Sequence, residues 1–197
     1  IFILLENSLA VGDVVSVGGS SGTVEVISIR SIRLRDVRGS VHTIPFSSAS
    51  TVTNMTKDFS YYLVDAGVAY RENYEEVAEI MRGVGEDLRA DPEYSADIME
   101  SIDIMGLDSF GDSAVIVRAR LKTVPGKQWG IGREYNRRLK AAFDTKGIEM
   151  PFPHQTIYFG EDKQGNAPPA FVSLQDGNQP TPAAPHADAD DGEGKNK

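Results

Sequence analysis

The chain contains no cysteine. Disulfides and thiolate metal sites are therefore excluded, while the redox compartment stays open. It has only three histidines, and His42, His154 and His186 are scattered too widely for a ligand spacing. Each reads as a satisfied surface or interface histidine. The run of His186 with Asp188, Asp190 and Asp191 reads as a solvated acidic tail. No long apolar run occurs. IFILL at the start is far short of the roughly 20 residues needed to cross a bilayer. It carries neither the basic start nor the cleavage site of a signal peptide. Basic residues are in the minority, 20 against 29 acidic ones, for a formal net charge of -9. A general nucleic-acid binder carries the opposite surplus. The first residue is Ile rather than Met, so the sequence reads as a fragment or a processed chain.

Catalytic patterns are missing too. Gly18-Gly19-Ser20-Ser21-Gly22 lacks the Lys-Ser/Thr pair and the strand-to-helix setting of a phosphate loop, and turn glycines explain it. Gly130-Ile131-Gly132 falls inside an expected helix, where close packing against a strand or helix accounts for it. Asp103, Asp108 and Asp112 have no companion histidine and no apolar pocket to shift a pKa. No serine sits in a nucleophile elbow. Nothing here calls for an enzyme, a cofactor or a metal.

What is present falls into two patterns. From Val11 to about residue 55, glycine-broken turns alternate with β-branched runs: VGDVVSVGG, SGTVEVISIRSIRLRDVRGSVHTIPFSS and ASTVTN. Short strands with Gly and Asp at the corners predict a small five-stranded β-barrel of the SH3/Sm-like kind. Gly12, Asp13, Gly18, Gly19 and Gly22 mark its turns, and Arg38-Gly39-Ser40 is a hairpin tip. Pro45 ends a strand or sits on an edge. The alternation breaks between Ser28 and Ser31, which predicts a bulge or bend there. Some 45 residues make a core near the limit of independent stability, so this unit is expected to lean on a neighbour. Arg30, Arg33, Arg35 and Arg38 are its basic concentration, read as a solvated or subunit-facing surface; no aromatic residue lies among them.

Residues 57–160 read differently. Tyr62, Val64, Ala66, Val68 and Tyr70 alternate along a strand. Asn73 with Glu76 forms a capping-box pattern, and Val77, Ile80, Met81, Val84 and Leu88 follow at helical spacing. A strand is expected over residues 98–107, a turn over Asp108 to Asp112, then a half-solvated strand with Val115, Val117, Ala119 and Leu121 on one face. Arg118, Arg120 and Lys122 are on the other. A second helix carries the stripe Trp129, Gly132, Tyr135, Leu139, Ala142 and Phe143 and ends at Gly147. Pro151 and Pro153 stiffen the way to a last strand, His154 to Phe159. Strand, helix, strand, strand, helix, strand is the split βαβ, ferredoxin-like order: four antiparallel strands with both helices on one face. Residues 161–197 are rich in Pro, Gly, Asp and Ala and are expected to be largely disordered, apart from the β-prone island Ala170 to Leu174.

The combination resembles the small-conductance mechanosensitive channel (MscS) family. In the first unit the resemblance is carried by Leu9-Ala10-Val11-Gly12-Asp13-Val14-Val15, Val17-Gly18-Gly19, Gly22-Thr23-Val24-Glu25, Ile29 to Arg35 and Ile44-Pro45. In the second it is carried by Gly67-Val68-Ala69-Tyr70 and Phe143 to Gln155. Phe46 departs from the asparagine common in the family after Ile-Pro. The resemblance implies a homo-heptamer in the bacterial inner membrane, with transmembrane helices upstream and residues 1–10 joining the pore-lining helix to the β domain. It implies that this portion, on the cytoplasmic side, walls a vestibule through which ions and small osmolytes pass when tension opens the pore. Arg30, Arg33, Arg35, Arg38, Arg118, Arg120 and Lys122 are then candidates for subunit interfaces or the vestibule surface. Two other readings stand beside it: an oligomeric nucleic-acid-binding module, and a nucleotide-sensing regulatory domain.

Overall fold

The computed structural model describes residues 9–49 and 51–155. All of these but Gln155 belong to one compact unit. The expectations for IFILL, for the strand continuing over Thr156 to Phe159, for the acidic tail and for Ala170 to Leu174 lie outside the described residues.

Five antiparallel strands come first: β1 (Val14–Val17), β2 (Ser20–Ile27), β3 (Ser31–Arg35), β4 (Val41–Pro45) and β5 (Val52–Asn54), in the order β4-β3-β2-β1-β5. Gly18 and Gly19 join β1 to β2 with φ of +54° and +81°, the left-handed pair that a two-residue hairpin requires. Gly22 does something else. A Cβ there would lie 2.5 Å from the Arg35 carbonyl oxygen, so β2 and β3 approach backbone to backbone at that point. The β3–β4 turn is built by Asp36, whose carboxylate accepts the N–H groups of Arg38 (2.9 Å) and Ser40 (2.8 Å). Gly12 sits at the entry, its N–H donating to Val24 O at 2.9 Å, and the Asp13 carboxylate ties Ala10 N–H to the Asn54 amide.

This sheet does not close into a barrel. Among the described residues β4 pairs only with β3 and β5 only with β1. Pro45, which has no N–H, ends β4, and the chain turns through a 3-10 segment, Phe46–Ser48, before a β5 of only three residues. The two outer strands never share a register. Turn glycines and alternation specify strands and hairpins, but closure needs a last strand long enough to bridge both edges. The inner face still gathers Leu9, Val15, Val17, Val24, Ile32 and Leu34, bordered by Ile27, Ile44, Phe46 and Val52. The chain bends at Ile29 and Arg30, where the alternation breaks, and a separate bulge lies earlier in β2. The register steps from Val24↔Leu34 to Val26↔Arg33, leaving Glu25 as the extra residue, whereas Ser28 to Ser31 is a tight turn.

The second sheet comprises β6 (Ser60–Val68), β7 (Asp103–Phe110) and β8 (Val115–Thr123), in the order β6-β8-β7, with helices α1 (Tyr74–Ala90) and α2 (Gln128–Lys146). Three strands of the expected four are described. His154 and Gln155, at the head of the fourth, carry no strand. Asn73 caps α1 by accepting Glu75 N–H at 2.8 Å and Glu76 N–H at 3.4 Å. Gly147, at φ +73°, ends α2, with Ile148 N–H reaching back to Phe143 O at 3.0 Å. Between helices and sheet lies one core: Val64, Ala66 and Val68 from β6, Val117, Ala119 and Leu121 from β8, Val77, Met81 and Leu88 from α1, and Ile131, Tyr135, Leu139 and Phe143 from α2. The buried Tyr135 hydroxyl donates to Met81 O at 3.0 Å, and burial pushes its pKa up.

Three corrections concern this half. β7 starts at Asp103 and runs to Phe110, so Asp108 lies in a strand and not in a turn. Two bulges, between Ile104 and Gly106 and between Leu107 and Ser109, hid its period. Trp129 leaves the stripe. It is 39 % exposed and, with Val14, Val37 and Met55, lines a cleft of about 420 Å³ facing the first sheet, while Gln128 and Ile131 take the buried positions.

Arg138 joins the two helices, pairing with Asp91 (2.6 Å) at the end of α1 and with Glu134 (2.7 Å) one turn back. Arg137 and Arg138 together hold Glu134 at a pKa of about 2, down from 4.5. A depressed folded value means this contribution to stability is complete above about pH 4.5 and is lost as pH falls towards 2. A carbon-detected titration of the Glu134 carboxyl is expected to show its midpoint near 2. A midpoint at the ordinary glutamate value would dispose of the pairing.

Candidate functional site

The face of the second sheet away from the helices carries the charged residues singled out in the sequence. Alternation sends Tyr61, Leu63 and Asp65 of β6, and Arg118, Arg120 and Lys122 of β8, to this side. The antiparallel register then sets Tyr61 opposite Lys122, Leu63 opposite Arg120 and Asp65 opposite Arg118. Arg118 grips Asp65 with two bonds, Nε to Oδ1 at 2.6 Å and Nη2 to Oδ2 at 2.9 Å, and reaches Asp108 on β7 at 2.6 Å. Arg120 Nε donates to Asp103 at 2.9 Å, and Lys122 donates to Glu100. Two aromatic rings roof the row. Arg120 lies 4.6 Å from the Tyr61 ring centroid and Lys122 lies 4.6 Å from that of Phe59.

Each cation is therefore matched. The Arg118 guanidinium holds the Asp65 carboxyl below the usual carboxylate range and is itself pushed up by that carboxyl. The Lys122 ammonium is likewise raised, first by its bond to Glu100. Exposed pairs like these add little to stability, so their main effect is on the field at the surface. The face also offers a phosphate chain no unspent cation, since all three are committed to carboxylates. That weakens a nucleic-acid reading. The sequence drew attention to Asp103 and Asp108 but missed Asp65 and Glu100. Asp65 was readable only from the β6–β8 register, and Glu100 only from where the chain enters β7. Asp112 lies in the β7–β8 loop, beyond this row.

The four arginines of the first sheet do not form one patch. Arg33 and Arg35 share the outer face of β3, and both approach the bulged Glu25, at 3.6 and 2.5 Å. Arg30 and Arg38 are exposed at the turns before and after β3, at opposite ends of that strand. His42 pairs with Asp36 at 3.1 Å, and this bond, with the Ser40 amide, holds the Asp36 carboxyl at a pKa of about 2. Of the turn and junction positions, Gly12 and Asp13 lead into β1, Gly18 and Gly19 form the β1–β2 turn, Gly22 lies in β2 and Pro45 ends β4. Gly147 lies at the end of α2, and Pro151 and Pro153 on the path beyond. Among the described residues there is no group of three or more His, Asp or Glu arranged to hold a metal ion, and no helix long and apolar enough to cross a membrane.

Comparison with known proteins divides the chain at the same place as its two cores. Residues 1–57 match the mechanosensitive ion channel β-domain family, and residues 63–150 match the MscS C-terminal family of mechanosensitive ion channels. The chain is 31 % identical over 162 residues to the small-conductance mechanosensitive channel of Caldanaerobacter subterraneus subsp. tengcongensis, covering 82 % of this chain and 56 % of that protein. It is 28 % identical over 151 residues to the moderate conductance mechanosensitive channel YbiO of Escherichia coli, covering 77 % of this chain and 20 % of that one. Among solved structures, the closed-state crystal structure of Helicobacter pylori MscS superposes with a TM-score of 0.66 at 20 % identity, over 82 % of this chain and 63 % of the other. At that identity the superposition speaks for the fold. The chain thus spans only part of the length of each of these relatives.

Proposed function

The chain belongs to the MscS family of mechanosensitive ion channels, and from that premise we propose that it forms the cytoplasmic vestibule of a tension-gated, weakly selective channel. The observation that carries this reading is the ordered pair of family matches, each falling on its own hydrophobic core. The family is one of channels and not of enzymes. In this proposal seven copies surround an axis below the bacterial inner membrane, and transmembrane helices outside this sequence supply the pore. Rising tension opens that pore, and ions and small osmolytes leave through the vestibule after a hypo-osmotic shock. A first sheet with a small core and two open edges gains most from neighbours in a ring. Arg30, Arg33, Arg35 and Arg38 are placed at those ring contacts or on the vestibule surface. The row of Arg118, Arg120 and Lys122 is placed on the wall that permeating ions pass.

The test uses the full-length gene product in cells stripped of their own mechanosensitive channels. Survival of osmotic downshock is expected to be restored, with pressure-activated currents in excised patches. Neither rescue nor current from a correctly inserted protein would reject the proposal. Selectivity supplies a second check. Residues 55–160 hold an excess of acids, which predicts a mild preference for cations. Because Arg120 and Asp103 are matched one to one, replacing the two together by neutral residues is expected to leave the reversal potential unchanged. A shift would show that Arg120 and Asp103 are not paired as described.

A further inference from the structure

After α2 the chain is tied back at once to the turn that follows β6. Ala69 N–H donates to Glu149 O at 2.9 Å, and Glu149 N–H donates to Glu72 Oε1 at 3.2 Å. The Glu72 side chain is only 13 % exposed, against 76 % for its neighbour Arg71. Arg71 completes the group, pairing through Nη2 with the Glu149 carboxylate and holding Nε 3.7 Å from Glu72. Five residues later, His154 N–H donates to Ser113 Oγ at 2.9 Å in the β7–β8 loop. That loop is itself braced by Tyr70, whose hydroxyl donates to Gly111 O at 2.6 Å and whose ring stacks on Phe110. Between the two ties runs Met150-Pro151-Phe152-Pro153, in which both prolines have a fixed φ and Met150 and Phe152 are held extended by the proline after each. A stiff rod is thus pinned at both ends, and its first pin is a carboxylate.

We infer that Glu72 is a positioning residue, which acts through the Glu149 amide to set the heading on which the chain leaves the second sheet. Gly147 fixes the turn out of α2 but not the direction beyond it, because a residue at φ +73° ends the helix without anchoring the residues after it. Glu72 supplies that direction. Its Oε1, which also lies 3.7 Å from Arg71 Nε, accepts the Glu149 N–H and, with the Ala69 N–H on the Glu149 carbonyl, fixes the start of the rod against the β6–α1 turn. The clamp itself rests only on hydrogen bonds within one chain, so it can fail or stand whether or not the channel reading does.

The experiment is amide exchange and residual dipolar couplings on the whole 197-residue chain, comparing the parent with Glu72→Ala and Glu72→Gln. In Glu72→Ala the Glu149 amide is expected to exchange about tenfold faster or more, the change for losing a bond to a charged acceptor. The couplings of the non-proline residues from Met150 to Gln155 are expected to change, while core amides such as Met81 and Leu139 keep their protection. Glu72→Gln retains an oxygen for the Glu149 N–H and is expected to keep most of that protection. Unchanged exchange and couplings in Glu72→Ala would overturn the inference. So would a rise spread evenly over α1 and α2, which would make Glu72 merely part of the general stability. Loss of protection in Glu72→Gln equal to that in Glu72→Ala would refute the amide-acceptor role.

Discussion

Phe143→Ala is expected to cost about 3–5 kcal/mol, a large share of the roughly 5–15 kcal/mol that holds a typical domain together. The residue is 1 % exposed and belongs to the cluster formed by α1, α2, β6 and β8. It also lies in the last turn of α2, where its carbonyl accepts Ile148 N–H in the helix-ending motif. The helix end should persist in the variant, because that bond is made by backbone. The loss comes from the cavity and the missing contacts of the ring. Leu139, one turn earlier and 6 % exposed, is expected to follow with about 2–5 kcal/mol for the same change. Urea unfolding monitored by circular dichroism reads both. A midpoint unchanged by Phe143→Ala would show that α2 does not pack as described.

The next largest effect pairs two glycine substitutions of opposite sign. At Gly132 a Cβ would lie 2.3 Å from Tyr62 ring carbons, so α2 meets β6 with nothing between backbone and ring. The ring cannot swing aside freely, since the Tyr62 hydroxyl accepts Asn136 Nδ2–H at 2.8 Å. Gly132→Ala is expected to destabilise by about 1–2 kcal/mol: overpacking costs up to about 3, and better helix propensity returns up to about 1. At Gly83 a Cβ would meet nothing within 4 Å, so Gly83→Ala keeps the propensity gain and is expected to stabilise by up to about 1 kcal/mol. Thermal melts of the two variants should move in opposite directions. A shared direction would mean that helix propensity alone governs both sites.

The close packing expected at Gly130-Ile131-Gly132 is met at Gly132, whereas a Cβ at Gly130, as at Gly83, would meet nothing within 4 Å. Gly132 and Gly83 weaken a helix by the same amount on paper, and only the partner across the interface separates them. Elements built from local rules were easier to read. The alternation of β6 and β8, the Asn73 cap and the Gly147 stop each depend on a few consecutive residues, and each lies where the pattern put it except Tyr70, which falls in the turn after β6. What went astray depends on residues far apart in the chain. Barrel closure required β4 and β5 to meet, and Pro45 with a three-residue β5 leaves them apart. The bulges in β7 broke the two-residue period and shifted that strand by several positions. Most of the charged row was visible as Arg118, Arg120, Lys122, Asp103 and Asp108, but Asp65 and Glu100 became partners only through register and through the path into β7. Glu72 gave no signal in the sequence, because its importance lies in an amide 77 residues away.

The matched row on the second sheet has a consequence for anything dissolved next to it. Opposite charges held within hydrogen-bond distance present themselves to a passing ion as an array of dipoles, whose potential decays faster with distance than that of single charges. At physiological ionic strength, where screening already acts over about 8 Å, such a wall is nearly silent beyond its first layer of water. It is wetted strongly, and with three cations set against four carboxylates it keeps a single excess negative charge. A hydrated cation would then pass it with a slight advantage over a hydrated anion, felt only close to the surface.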